Sequence, residues 1–95
     1  MSERARPPES IRLDKWLWHA RFCKTRSLAT ELVSKGRVRV NSKRVSKPAT
    51  MVKPGDGLSF ALHDRLHVVR ITAIAERRGP ATEARLLYEE VAEQG

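Results

Sequence analysis

The sequence predicts an α+β domain: two N-terminal helices packed on a small, mostly antiparallel sheet, followed by a short C-terminal helix. Three observations carry that expectation. Apolar residues recur at helical period in two stretches before residue 36. The period then switches from 3.6 to 2 at Val38 and Val40. Short alternating runs follow, separated by Gly, Pro, Asn and Asp turns. A chain of 95 residues makes one domain with one modest core.

Residues 1–10 (MSERARPPES) hold two prolines and four charges and nothing to bury, so a disordered tail is expected. The first helix is expected over residues 11–22, with Leu13, Trp16, Leu17 and Ala20 at i, i+3, i+4 and i+7. Asp14 near its start suits the helix dipole. Arg12, Lys15 and His19 share a second, basic face. Trp18 and Phe22 lie off the main stripe and are expected to pack on the second helix rather than stack on bases. Cys23 is alone, so it forms no internal disulfide and reads as a small apolar filler.

The second helix is expected from Arg26 to Lys35, with Thr25 as its N-cap and Leu28, Ala29, Leu32 and Val33 as its apolar stripe. Gly36 stands where a helix ends in a left-handed residue. Val38 and Val40 then alternate with Arg37 and Arg39. Asn41-Ser42 is a tight turn, and Arg44-Val45 starts the return strand. The run 53–57 (KPGDG) is a turn, 58–62 a strand, 63–65 a loop, and 67–74 (HVVRITAI) a β-branched strand. Residues 76–80 form a connector. Thr82 is expected to cap a last helix with Ala84, Leu87, Tyr88 and Val91 on one face, and the final residues to fray.

Charge separates sharply along the chain. Residues 12–47 hold eleven Lys and Arg against Asp14 and Glu31, a net +9, whereas residues 49–95 net −1. Solubility does not require such segregation, and a local excess of this size favours a polyanionic partner. No apolar run approaches the roughly 20 residues of a membrane-spanning helix, and the first ten residues are too polar for a signal peptide. A cytoplasmic location is therefore expected. No nucleophile elbow, Walker loop or dinucleotide fingerprint is present. His63 and His67 are four apart but belong to a strand and its edge, with no cysteine or carboxylate pair beside them to complete a metal site. Nothing in the chain argues for an enzyme, and no cofactor or metal is expected.

The motifs RLDKWL (12–17), KTRSLA (24–29), GRVRVN (36–41) and KPGD (53–56), in this order and spacing, resemble the S4 RNA-binding domain family over residues 12 to about 60. Ser42 departs from the glycine that the family commonly carries after Asn41. Together with residues 76–93 (ERRGPATEARLLYEEVAE), the resemblance extends to the fifteen-kilodalton family of ribosome-associated heat-shock proteins, and to the short S4-domain factors of ribosome quality control. It implies an S4-like domain over residues 11–75, with residues 76–95 as connector and helix. It also implies binding to the large ribosomal subunit that still carries a nascent chain on tRNA. The sequence to Gly95 lacks the long basic C-terminal extension associated with the heat-shock family, so functions of that extension are not carried over.

The residues themselves provide a way to hold RNA. The start of the second helix presents backbone N–H groups and a positive dipole end to a phosphate, flanked by Lys24 and Arg26. Arg26 can fork two hydrogen bonds to phosphate oxygens. Lys35, Arg37 and Arg39 continue the positive surface, Asn41, Lys43 and Arg44 border the hairpin turn, and Arg12 and Lys15 add to it from the first helix. Many phosphate contacts and few exposed aromatics point to readout of RNA shape. The rival readings are a DNA-binding helix–turn–helix regulator and an accessory module of an RNA-modifying enzyme. For the first, Ser27, Thr30, Glu31 and Ser34 make a poor base-reading face.

Overall fold

The computed structural model describes residues 10–91. Apart from Ser10, the tail expected over residues 1–10 lies outside the described residues, as do residues 92–95. The elements run β1 (Ile11–Arg12), α1 (Leu13–His19), α2 (Arg26–Ser34), β2 (Val38–Val40), β3 (Lys43–Val45), β4 (Met51–Val52), β5 (Gly57–Leu62), β6 (Arg65–Ile71), α3 (Ala81–Ala84), a 3-10 turn (Arg85–Leu87) and β7 (Tyr88–Glu90). A five-stranded sheet in the order β3-β2-β5-β6-β7 and a separate β1-β4 pair are antiparallel throughout. Leu13, Trp16, Leu17 and Ala20 of the first helical segment and Ala29, Leu32 and Val33 of α2 close over Val38, Leu58, Phe60, Val69 and Ile71 of the sheet. The expected architecture of helices on an antiparallel sheet is the one observed.

Both long helices end in the same way. After α2, Gly36 N–H donates to Val33 O at 2.8 Å and Arg37 N–H to Leu32 O at 3.3 Å, with Gly36 at φ +71. This is the Schellman arrangement that satisfies the last carbonyls. After α1, Arg21 N–H donates to Trp18 O at 3.0 Å and Phe22 N–H to Leu17 O at 3.1 Å, and the left-handed residue is Arg21 at φ +67. No glycine marks that stop, so periodicity alone carried the expected helix on to Phe22. Its start is also later than expected, because Ile11 and Arg12 pair with Val52 and Met51. Two N–H groups of its first turn are taken by the 48–50 loop: Leu13 N donates to Thr50 O and Asp14 N to Pro48 O.

The two tight hairpins, Asn41-Ser42 and His63-Asp64, place both central residues at positive φ. That geometry matches the right-handed twist of the flanking strands. Ser42, at φ +74, occupies a conformation that glycine takes without strain.

The C-terminal segment differs from expectation. The helix stops at Ala84, tightens into the 3-10 turn, and Tyr88–Glu90 pair with β6 as its outer neighbour. Leu87 and Tyr88 do face the core, as the helical pattern suggested. They reach it by anchoring the sheet: Thr72 and Ala73 N–H both donate to Leu87 O. Phe22 also reaches the sheet, where it meets Phe60 at 5.0 Å and Tyr88 at 4.7 Å between ring centroids. Cys23 is buried in this region, as a filler should be.

Gly36→Val should destabilise the protein. A β-branched residue in the left-handed region is strained by about 1–2 kcal/mol. Its Cβ would also lie 2.8 Å from Nε and Nη2 of Arg44. A urea denaturation midpoint equal to wild type would show that this cap does not limit stability.

Candidate nucleic-acid interface

Asp14 is the sole acid in α1, and it sits where α1, α2 and β1 meet. Its side chain is 1% exposed. Arg12 donates to it twice, Nε to Oδ1 at 3.1 Å and Nη2 to Oδ2 at 3.0 Å. Thr30 Oγ1 donates to Oδ2 at 3.0 Å from the second turn of α2. Arg26 Nη2 stands 3.8 Å from Oδ1. One buried carboxylate therefore aligns two arginines from different elements. Each keeps roughly half its side chain in solvent, 45% for Arg12 and 41% for Arg26. An arginine carries five N–H donors, so both retain donors for a phosphate.

Arg12, Lys15 and Arg26 line one shallow groove with Met51 and Ile74. Thr25 begins α2 as expected, its hydroxyl accepting from Leu28 N–H at 3.1 Å. Nine residues further on, about 14 Å along the helix axis, the second basic group begins. Lys35 pairs with Glu31 at 3.0 Å. Arg37, Arg39 and Lys43 are exposed. The hairpin register sets Arg39 opposite Arg44 and Lys43 opposite Val40. Like charges directly opposite one another are unfavourable in a sheet. Arg44 is drawn aside by donating Nε to Gly36 O at 3.0 Å. Lys24 is exposed at the start of α2 and shares a groove with Lys35 and Arg37.

Two residues counted on the basic surface do other work. Asn41 serves the loop: Nδ2 donates to Asp56 Oδ1 at 3.0 Å and Oδ1 accepts from Gly57 N–H at 2.9 Å. His19, expected on the basic face of α1, is 1% exposed. It stands against Ala75 O, with Nδ1 at 3.2 Å. Burial holds its pKa below the ordinary value, the nearby charges of Lys15, Arg26 and Arg78 push the same way, and the Ala75 carbonyl only partly opposes them. His67 is a packing residue, stacked on Phe60 at 5.4 Å. Among the described residues no group of three or more His, Cys, Asp or Glu is placed to hold a metal ion. No described helix is long and apolar enough to cross a membrane.

Sequence reasoning missed what Asp14 does, and it missed two arginines that fasten the connector. Arg78 Nε donates to Trp18 O at 2.9 Å and its guanidinium lies over the Trp18 ring at 5.8 Å. Arg21 Nε donates to Gly79 O at 2.8 Å. The one available signal for Asp14 was its isolation: an acid in the first helix among eleven bases.

Comparison with known proteins agrees with this fold. A family model described as the S4 domain matches residues 11–58. The chain is 48% identical over 88 residues to heat shock protein 15 of Escherichia coli K12, covering 93% of this chain and 65% of that protein. It thus spans just under two thirds of that relative's length. It is 42% identical over 79 residues to the RQC P-site tRNA stabilizing factor of Halalkalibacterium halodurans, covering 83% of this chain and 88% of the relative. Among solved structures, trimeric Vibrio cholerae heat shock protein 15 superposes with a TM-score of 0.83 at 43% identity, covering 88% of this chain and 84% of the other.

The acid limb of stability should report on Asp14 and Asp56. Burial alone would raise both pKa values. At Asp14 the hydrogen bonds from Arg12 and Thr30 and the charges of Arg12 and Arg26 outweigh it, and the carboxyl falls below its ordinary range. At Asp56 the donors Asn41 and Lys53 do the same. A depressed folded pKa gives stability that is complete above the unfolded value of about 3.9. That stability is lost as pH falls through the lower folded value. Asp14→Asn should therefore be less stable at neutral pH by about 1–3 kcal/mol, with a shallower loss below pH of about 4. Denaturant unfolding of both proteins across that range checks it; parallel curves would remove the role assigned to Asp14.

Proposed function

The chain belongs to the S4 domain family, and from that membership we propose that it is a non-enzymatic RNA-binding protein of the ribosome. It grips ribosomal RNA of the large subunit when that subunit still carries peptidyl-tRNA, and so acts in ribosome rescue from the cytoplasm. The observation that carries the reading is the pair Arg12 and Arg26 held by buried Asp14 at one end of α2, with the basic hairpin at the other. Two basic clusters at a fixed separation recognise the shape of an RNA backbone rather than a base sequence. The relatives support it by name: one is a heat shock protein, another a P-site tRNA stabilizing factor. Lys15, Lys24, Lys35, Arg37, Arg39, Lys43 and Arg44 complete the contact surface, while Asn41 contributes by shaping the turn.

A DNA-binding helix–turn–helix is not favoured. Thr30, one of the four polar residues available on α2, is turned to Asp14 and to Arg26 O. The exposed Ser27, Glu31 and Ser34 do not form a base-reading set.

Binding should be strongly salt-dependent. If four to six phosphates are neutralised, log K against log[salt] should slope at roughly −3 to −5. Arg26→Ala should weaken RNA binding by about 1.5–3 kcal/mol, whereas Arg85→Ala, exposed beside the opposite edge strand β7, should leave it unchanged. Equal affinities at unchanged circular dichroism, or a slope near zero, would exclude this surface.

Affinity for empty large subunits, compared with subunits carrying peptidyl-tRNA, tests the partner. By linkage, the tRNA should raise affinity. Equal affinities would leave a general rRNA binder, and preference for the small subunit would overturn the assignment.

A further inference from the structure

Leu28 belongs to the apolar stripe of α2, yet the fold leaves it 49% exposed. It stands over a groove of about 490 Å³ between α2 and the β5–β6 turn. Phe22, Leu32 and Leu62 also line that groove, and Lys24 and Arg37 stand at it from either end of α2. Its volume lies in the range of pockets that enclose small organic groups. Glu31 and Lys35 border it too, but they hold each other at 3.0 Å and cancel in charge. Lys24 and Arg37 therefore set the sign of the groove. His63, at φ +51 on the β5–β6 turn, places an exposed imidazole at the same groove.

We infer that this groove receives one unpaired nucleotide of the bound RNA, its base against Leu28 and its flanking phosphates on Lys24 and Arg37. The inference rests on the RNA-binding reading and adds to it a preference for RNA with an unstacked base. An apolar face flanked by two cations is complementary to a base between two phosphates, and apolar contact with the face of a base does not depend on its hydrogen-bonding edge. A base inside a duplex remains stacked on its neighbours and cannot enter. A protein segment would supply the apolar contact without an anion on each side, and so fits the rim less well.

The test compares two RNAs, a hairpin with an unpaired loop and a fully paired duplex of the same length, against wild type and Leu28→Gln. Gln keeps the charge and the helix propensity at an exposed position. Wild type should bind the looped RNA more tightly than the duplex. Leu28→Gln should lose about tenfold on the looped RNA, the order expected when one apolar side chain loses its buried contact, and less than about twofold on the duplex, with the same salt slope. In the complex, a 2-aminopurine in the loop should be shielded from acrylamide quenching by wild type and not by the variant. Equal losses on both RNAs, or none on either, would overturn the base groove; the latter is also the result expected if the groove serves a protein. Failure of wild type to bind either RNA would overturn the RNA reading itself, a distinguishable outcome.

Discussion

A carboxylate taken out of water needs donors on several sides, and the way Asp14 finds them fixes much of this molecule. Its donors come from residues 12 and 30, with the residue 26 guanidinium nearby. The same contact joins the start of α1 to the second turn of α2 and spreads two guanidinium groups at the surface. Unlike an ion pair between freely exposed side chains, this one is anchored on a buried partner, where screening is weak. The arginines are therefore aligned in the protein itself, so that in the RNA-binding role proposed above less rotamer entropy would remain to be lost on binding.

A second buried carboxylate plays a comparable part beside the β2–β3 turn. Asp56 accepts from Asn41 Nδ2 and from Lys53 N–H at 2.9 Å. Gly57 N–H in turn bonds Asn41 Oδ1. The hairpin that carries Arg39, Lys43 and Arg44 is thereby tied to the 53–57 turn. Both ends of the basic surface are thus tied to a buried acid, Asp14 at one and Asp56 at the other.

The parts legible in the sequence are those set by local chemistry. Thr25 as cap, Gly36 as left-handed stop, the alternation at Val38 and Val40, and the 53–57 turn each follow from a few adjacent residues. What was misread depends on distant ones. The start of α1 is decided by carbonyls at residues 48 and 50. The last helix gives way to a strand because β6 offers an open edge to residues 88–90, and seven or eight residues of apolar spacing do not separate the two outcomes. The basic surface was legible as composition and order, since charge segregates along the chain. Its internal organisation was not, because the Asp14–Thr30 contact and the burial of His19 against Ala75 are tertiary facts. Leu28 is the reverse case: its spacing was read correctly, and the fold leaves it outside the core.

The placement of Trp16 and His19 has a consequence for how the chain comes to recognise anything. Trp16 Nε1 donates to Ala73 O at 3.3 Å, and His19 rests on Ala75 O, contacts spanning 57 and 56 residues. Synthesis from the N-terminus produces all eleven basic residues between 12 and 47 before either carbonyl exists. Until the chain reaches them, that stretch lacks both anchors, and its net +9 would attract a polyanion by charge alone. Closure of these long-range contacts comes late, as non-local pairings do. In the RNA-binding role proposed above this would change the nature of the interaction: the same charges, once immobilised, could reject an RNA whose phosphates are wrongly spaced. On that reading, discrimination would follow from contacts made by residues 73 and 75, which lie in a stretch (residues 49–95) that contributes no excess positive charge.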